Sequence, residues 1–283
     1  MVVKIKLRRI AAVVCLIVCA AVLFLWKTPP SGRPSAAPVG SARLPIFLYH
    51  ILSPSRSYKF GITPDEFEND LLYLSKNGYT TITMTQLIDC VDSGKALPKK
   101  PAILSFDDGY YNNYVYAFPL LKKYHAKMVL SIIGKSTDDF SAVPSDSLSY
   151  AHVTWTQLNE MISSGLVEVQ NHTYNLHEMS GGRTGCMQKP GESPAQYENV
   201  LTGDVGKLQR EIVQKTGFTP NTFVYPYGKS SKGTDGILRK LGFRATLSCR
   251  YGVNPIPKGP DDLFGLCRIE RTHKQSAESI LSE

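Results

Sequence analysis

From residue 44 onward, short apolar runs alternate with amphipathic segments. Residues 45–49, 80–84, 102–106, 127–132, 167–169, 222–224 and 245–247 are brief apolar runs, the mark of buried strands. Thr63-Pro64-Asp65-Glu66 is a capping box with proline at the first helical position. The helix it opens turns Phe67, Leu71, Leu72 and Leu74 inward and stops at Gly78. Further helices are predicted around residues 87–88, 114–123, 155–163, 205–215 and 237–241. Strand and helix alternating over 240 residues imply an α/β fold on a parallel sheet, open or closed into a barrel. Functional groups then gather on loops at the C-terminal ends of the strands.

The segment before residue 44 has a different pattern. Residues 10–26 are seventeen consecutive apolar positions, about 26 Å as a helix, against a hydrocarbon core of about 30 Å. Lys4, Lys6, Arg8 and Arg9 precede the run, and Trp26-Lys27 closes it as an interfacial anchor. Residues 28–43 are rich in proline, serine and alanine and read as a tether. The expected plan is a basic flank and transmembrane anchor over 1–27, a linker over 28–43 and a folded domain over 44–283. It places the domain outside the cell membrane on a single-pass anchor. Alanine-containing sites near residues 35–42 leave late cleavage and secretion as the alternative.

Charge sharpens this plan. The 283-residue chain has 32 Lys and Arg against 24 Asp and Glu, a net +8. Seven of the bases and no acid lie in residues 1–43, leaving 25 bases against 24 acids in the rest. The folded part is nearly neutral, which excludes a basic nucleic-acid-binding domain. Cys90, Cys186, Cys249 and Cys267 match no metal or redox spacing, and nothing selects a disulfide pairing among them. No phosphate loop, dinucleotide fingerprint or nucleophile elbow is present.

Three polar clusters stand at strand ends. Leu104-Ser105-Phe106-Asp107-Asp108-Gly109 ends a buried run with two adjacent carboxylates and a turn glycine. Neighbouring side chains there diverge, so one can bind an ion while the other faces a substrate water. Next, Asn171-His172-Thr173-Tyr174-Asn175-Leu176-His177 places two of the six histidines within six positions. On a helix they would lie about 140° apart, so they converge only from a loop. One aspartate with two histidines leaves a coordination vacancy, the arrangement of catalytic zinc. The third cluster is Phe223-Val224-Tyr225-Pro226-Tyr227-Gly228. Asn171-His172-Thr173 is formally a glycosylation sequon, and a glycan there would block the histidine site. Residues 180–197, polar and glycine-rich, read as a flexible loop or a lid beside His177.

Taken in this order, the three clusters resemble the polysaccharide deacetylase family, the carbohydrate esterases with a NodB homology domain. The likeness covers residues 44–275. It includes LPIFLYHI at 44–51, TPDEFENDLLYL at 63–74, GYTTITMTQL at 78–87 and TWTQLNEMISSG at 154–165. It implies a distorted (β/α)7-type barrel and makes 44–283 a catalytic domain. The implied activity is metal-dependent removal of N-acetyl groups from extracellular N-acetylglucosamine-type polysaccharide of the bacterial envelope, releasing acetate. Matched by motif, Asp107 is the general base, and Asp108, His172 and His177 hold the metal, zinc. Tyr227 contributes its backbone N–H to an oxyanion hole, and Tyr225 and Pro226 shape the acetyl pocket.

Two positions depart from the family pattern. Val224 stands where many members have an arginine that braces the base, and Arg268 is the candidate substitute. No late histidine sits in the hydrophobic context expected of the general acid. His50 takes that role in a poly-N-acetylglucosamine deacetylase-like reading, with His273 as its rival. The implied partners are the acetylated glycan and, through the anchor, the membrane; no nucleic acid or protein partner is implied. The competing class is a wall-carbohydrate-binding protein on the same fold without catalysis.

Overall fold

The computed structural model of the protein describes residues 43–282. Seven parallel strands close into a ring: β1 Ile46–Tyr49, β2 Pro101–Phe106, β3 Met128–Ile132, β4 Val167–Asn171, β5 Thr222–Val224, β6 Ala245–Tyr251 and β7 Leu266–Glu270. Each strand pairs with its sequence neighbour, and β1 closes the barrel by pairing with both β2 and β7. The barrel interior and the surrounding helices both exclude water, so all six residues of β2 are buried.

The helices are α1 Pro64–Lys76, α2 Met84–Ser93, α3 Phe118–Tyr124, α4 Gly134–Ala142, α5 Trp155–Ser163, α6 Pro194–Thr216, α7 Thr234–Lys240 and α8 Ala277–Leu281. The capping box read at Thr63 is formed: Glu66 N–H donates to Thr63 Oγ1 at 3.2 Å, and Thr63 N–H to Glu66 Oε2 at 2.8 Å. Thr83 caps α2 in the same way, with Gln86 as its partner. That cap cuts short the strand expected over 80–84. Only Thr80–Thr81 remains extended, attached to the outside of β2. The seventh place in the ring is taken instead by β7, which periodicity did not reveal.

The expectation of a barrel preceded by a membrane helix is corrected. Residues 10–26 lie outside the described residues, and among the described residues no helix is long and apolar enough to cross a membrane. The longest, α6, is amphipathic: Leu201, Val205, Leu208 and Ile212 are buried while Asn199, Arg210 and Lys215 face water. Such a helix packs one apolar face on the core and would expose charge if it were set in lipid. The membrane partner and the single-pass extracellular location are withdrawn with it. What stands is the distorted parallel barrel.

One buried network fixes the end of β1. Arg271 donates to both oxygens of Asp70, at 2.7 and 3.1 Å, and Asp70 also accepts from the Tyr49 hydroxyl and the Ala277 N–H. Tyr49 stacks on Phe106, with ring centroids 4.8 Å apart. The residues just before His50 and Asp107 are thereby locked to each other.

Candidate active site and metal centre

At the C-terminal rim the chain turns sharply after β2. Asp108 and Gly109 have φ of 70° and 73°, a left-handed turn that aspartate tolerates and glycine adopts freely. At Gly109 a Cβ would meet Ile132 at 3.0 Å, so the turn also needs the missing side chain. The turn swings Asp108 toward the histidines after β4. Its Oδ1 lies 3.5 Å from His172 Nε2 and 3.4 Å from His177 Nε2. The three side chains form a metal-binding-type triad, their ligand atoms all within 4.8 Å of one another. The expected convergence of Asp108, His172 and His177 is therefore met.

The donor set fits a divalent cation. Asp108 Oδ1 is buried with no hydrogen-bond partner among the described residues. His172 is buried, and its Nδ1 lies 2.7 Å from the Val224 carbonyl, which can only accept. The proton is thereby fixed on Nδ1, and in the neutral ring Nε2 is left as the ligand atom toward Asp108. Burial pushes His177 down to about 4, so its ring stays neutral and free to ligate. Burial acts against ionisation of Asp108, but the electrostatic pull of the three imidazoles around it, His172, His177 and His50, outweighs it and holds the carboxyl well below its usual range.

Asp107 faces a different partner. Arg268 Nη1 donates to its Oδ1 at 2.7 Å and Nη2 to its Oδ2 at 2.9 Å, while Nη1 also reaches Ser105 Oγ at 2.9 Å. Both side chains are buried. Burial alone would raise the Asp107 carboxyl, but Arg268, His172 and His50 outweigh it and keep it below the usual range. Arg268 thus occupies the bracing role left vacant by Val224. It comes from β7 rather than from the third motif.

The two histidine alternatives lie in different surroundings, each with one buried ring nitrogen that has no partner among the described residues. His50 follows β1 directly, and its carbonyl accepts from Asn113 Nδ2 at 2.9 Å. Its Nδ1 is buried without a partner among the described residues, and its charge acts on both Asp107 and Asp108. His273 instead lies 2.7 Å from Glu66 at the start of α1.

The third motif divides in two. Tyr227 sits in the left-handed region, φ 57°, with its ring 4.5 Å from that of His177 and its hydroxyl donating to the His177 carbonyl at 3.2 Å. Gly228 follows at φ 65°, where a Cβ would come within 2.5 Å of Cys249 Cβ. Pro226 is buried against Gly185. The Tyr225 ring is not brought to the triad. It is buried between β5 and α7, and its hydroxyl bonds Asp235 and Thr246.

Periodicity and motif matching overlooked Tyr110. Its hydroxyl is raised by burial and by neighbouring Asp108, so it stays protonated beside the metal ligand. The available signal was its place directly after Asp-Asp-Gly. Residues 180–197 are no free loop: Arg183 pairs with Glu192 at 2.6 Å, both largely buried, and Gly185 packs on Pro226. Asn171 is buried and donates to the Val205 carbonyl at 3.0 Å, out of reach of glycosylation. All four cysteines of the described residues are free.

A parallel barrel with an Asp-His-His triad and a buried Asp107–Arg268 ion pair at one rim defines a metal-dependent hydrolase type of site. Residues 94–246 match the polysaccharide deacetylase family, and the chain belongs to it. It is 30% identical over 199 residues to the poly-beta-1,6-N-acetyl-D-glucosamine N-deacetylase of Escherichia coli (strain K12), covering 64% of this chain. The match spans only 30% of that relative's length. The structure of IcaB from Ammonifex degensii superposes with a TM-score of 0.69 at 28% identity, over 86% of this chain and 97% of that one. The de-N-acetylase from Aggregatibacter actinomycetemcomitans shares the fold, with a TM-score of 0.73 at 24% identity over 85% and 99% of the two chains.

Proposed function

We propose that the protein removes N-acetyl groups from N-acetylglucosamine-type polysaccharide, using a bound zinc ion and releasing acetate. The observation that carries this reading is the pairing of a braced, ionised Asp107 with the Asp108/His172/His177 triad. Asp108 Oδ1 lies 3.4 and 3.5 Å from the two histidine Nε2 atoms, close enough for one divalent cation to be shared among them. Held by these three residues, the ion would polarise the acetyl carbonyl and lower the pKa of water to about 7.

The remaining work falls to the chain. Asp107, fixed by both arms of Arg268, takes the proton of the attacking water. The Tyr227 N–H donates to the developing oxyanion, a contribution of about 3 kcal/mol. His50, its ring nitrogen unpaired and beside both carboxylates, delivers a proton to the leaving amine. Pro226 and the Tyr227 ring wall the acetyl group, while Tyr225 supports them from beneath.

The direct test is acetate release from N-acetylglucosamine oligomers by the full chain. A chelator is expected to abolish release and added zinc to restore it. Oligomer binding without release would leave a carbohydrate-binding protein, and chelator-resistant release would remove the metal from the mechanism. For the acid, His50→Ala is expected to lower kcat by about 10²-fold or more, and His273→Ala to change it little. A large loss confined to His273→Ala would reverse that assignment.

A further inference from the structure

The connection between α4 and α5 returns to the active face of the barrel. Tyr110 and His152 form a β-bridge, Tyr111 N–H donates to the Ala151 carbonyl at 2.8 Å, and Val153 N–H to the Gly109 carbonyl at 2.9 Å. These bonds fasten the connection to the turn that bears Asp108. From that point an aromatic ladder leads outward. Tyr110 and His152 stack with ring centroids 4.8 Å apart, His152 and Phe140 stack at 5.6 Å, and Phe140 meets Tyr150 at 6.2 Å.

The ladder ends at a cavity of about 600 Å³ walled by Phe140, Val143, Pro144 and Tyr150, with Asp139 and Ser145 among its polar lining. Tyr150 is 60% exposed and Val143 75%. Phe140, Val143 and Tyr150 thus line a hollow that is open to solvent and edged by polar groups. A sugar ring presents apolar C–H faces and hydroxyl edges, and tyrosine offers a matching flat face and a polar tip. The charge there is balanced, since Asp139 pairs with Lys135 at 2.7 Å. That suits an uncharged acetylated glycan better than a nucleic acid or an anionic membrane. A polymer with one sugar at Asp108 must also run its neighbouring sugars over the adjoining rim.

We propose that this cavity is a subsite for a more distant sugar of the same glycan chain, with Tyr150 as its stacking platform. The inference rests on the glycan-deacetylase reading and adds that the protein favours long chains over short ones.

The test measures binding of the N-acetylglucosamine disaccharide and of a long oligomer to the full-length Asp107→Asn chain, with and without Tyr150→Ala. The ratio of long-oligomer to disaccharide affinity is expected to fall about tenfold in Tyr150→Ala, as for one lost aromatic contact, and to survive in Tyr150→Phe. An unchanged ratio in Tyr150→Ala, or no preference for the long oligomer before the change, would overturn the subsite. Acetate release by the wild-type chain is scored separately. Its absence beside a preserved ratio effect would fail the hydrolase reading and leave the subsite standing.

Discussion

Asp107→Asn is expected to lower acetate release by about 10²–10⁴-fold while leaving the metal bound. Asp107 reaches neither histidine of the triad in its hydrogen bonding; both its oxygens are committed to Arg268. The metal ligands Asp108, His172 and His177 keep their own supports, the Val224 carbonyl behind His172 and the Tyr227 ring behind His177. Asparagine has the same outline but cannot take a proton at neutral pH, and its amide NH₂ would face a guanidinium that offers only donors. Elemental analysis of the purified variant checks metal content, and acetate release checks turnover. Wild-type turnover would end the assignment of Asp107 as base. Loss of the metal together with turnover would show that the two carboxylates act as one unit.

Much of this arrangement was legible because its signals are local. The capping box at Thr63 is a four-residue pattern, and its helix begins where the pattern predicts. The triad was legible because Asp108 and the histidine pair each follow a buried apolar run, and a parallel barrel brings such strand ends to one rim. β7 was not. Leu-Cys-Arg-Ile-Glu carries an arginine in its middle, and a strand with a charge at its centre reads as surface. Arg268 is fully buried only because Asp107, 161 positions earlier, neutralises it. No local pattern can announce a partner at that distance. The strand expected over 80–84 failed for the opposite reason: Thr83-Met84-Thr85-Gln86 is itself a cap, and the local hydrogen bonds won over an apolar run. Tyr225 shows the limit of motif matching, since a motif fixes the backbone path while the side chain follows the packing.

Arg268→Met is expected to damage stability and chemistry together. Removing one partner of a buried ion pair costs about 3–5 kcal/mol, which for a domain of this size lowers Tm by on the order of 10 °C. The sign of the pH dependence follows from Asp107. In the wild type its folded carboxyl is held below the usual value, so its charge stabilises the fold above the unfolded carboxylate pKa of about 4. That contribution is lost as pH falls through the folded value. Without Arg268, burial dominates and the folded carboxyl rises above the unfolded one, so ionised Asp107 then opposes folding as pH increases. The Tm difference between wild type and variant should be widest near neutral pH and shrink on acidification. The acid limb of the kcat/KM profile should also move to higher pH by about one to two units, the equivalent of a lost charge-assisted hydrogen bond. Arg268→Lys, which restores the charge without the two-armed grip, should recover part of the pH shift and less of the turnover. Thermal unfolding across pH and a pH–rate series on all three chains measure this. An acid limb that stays in place in Arg268→Met would show that Arg268 supports the barrel without setting the state of the base.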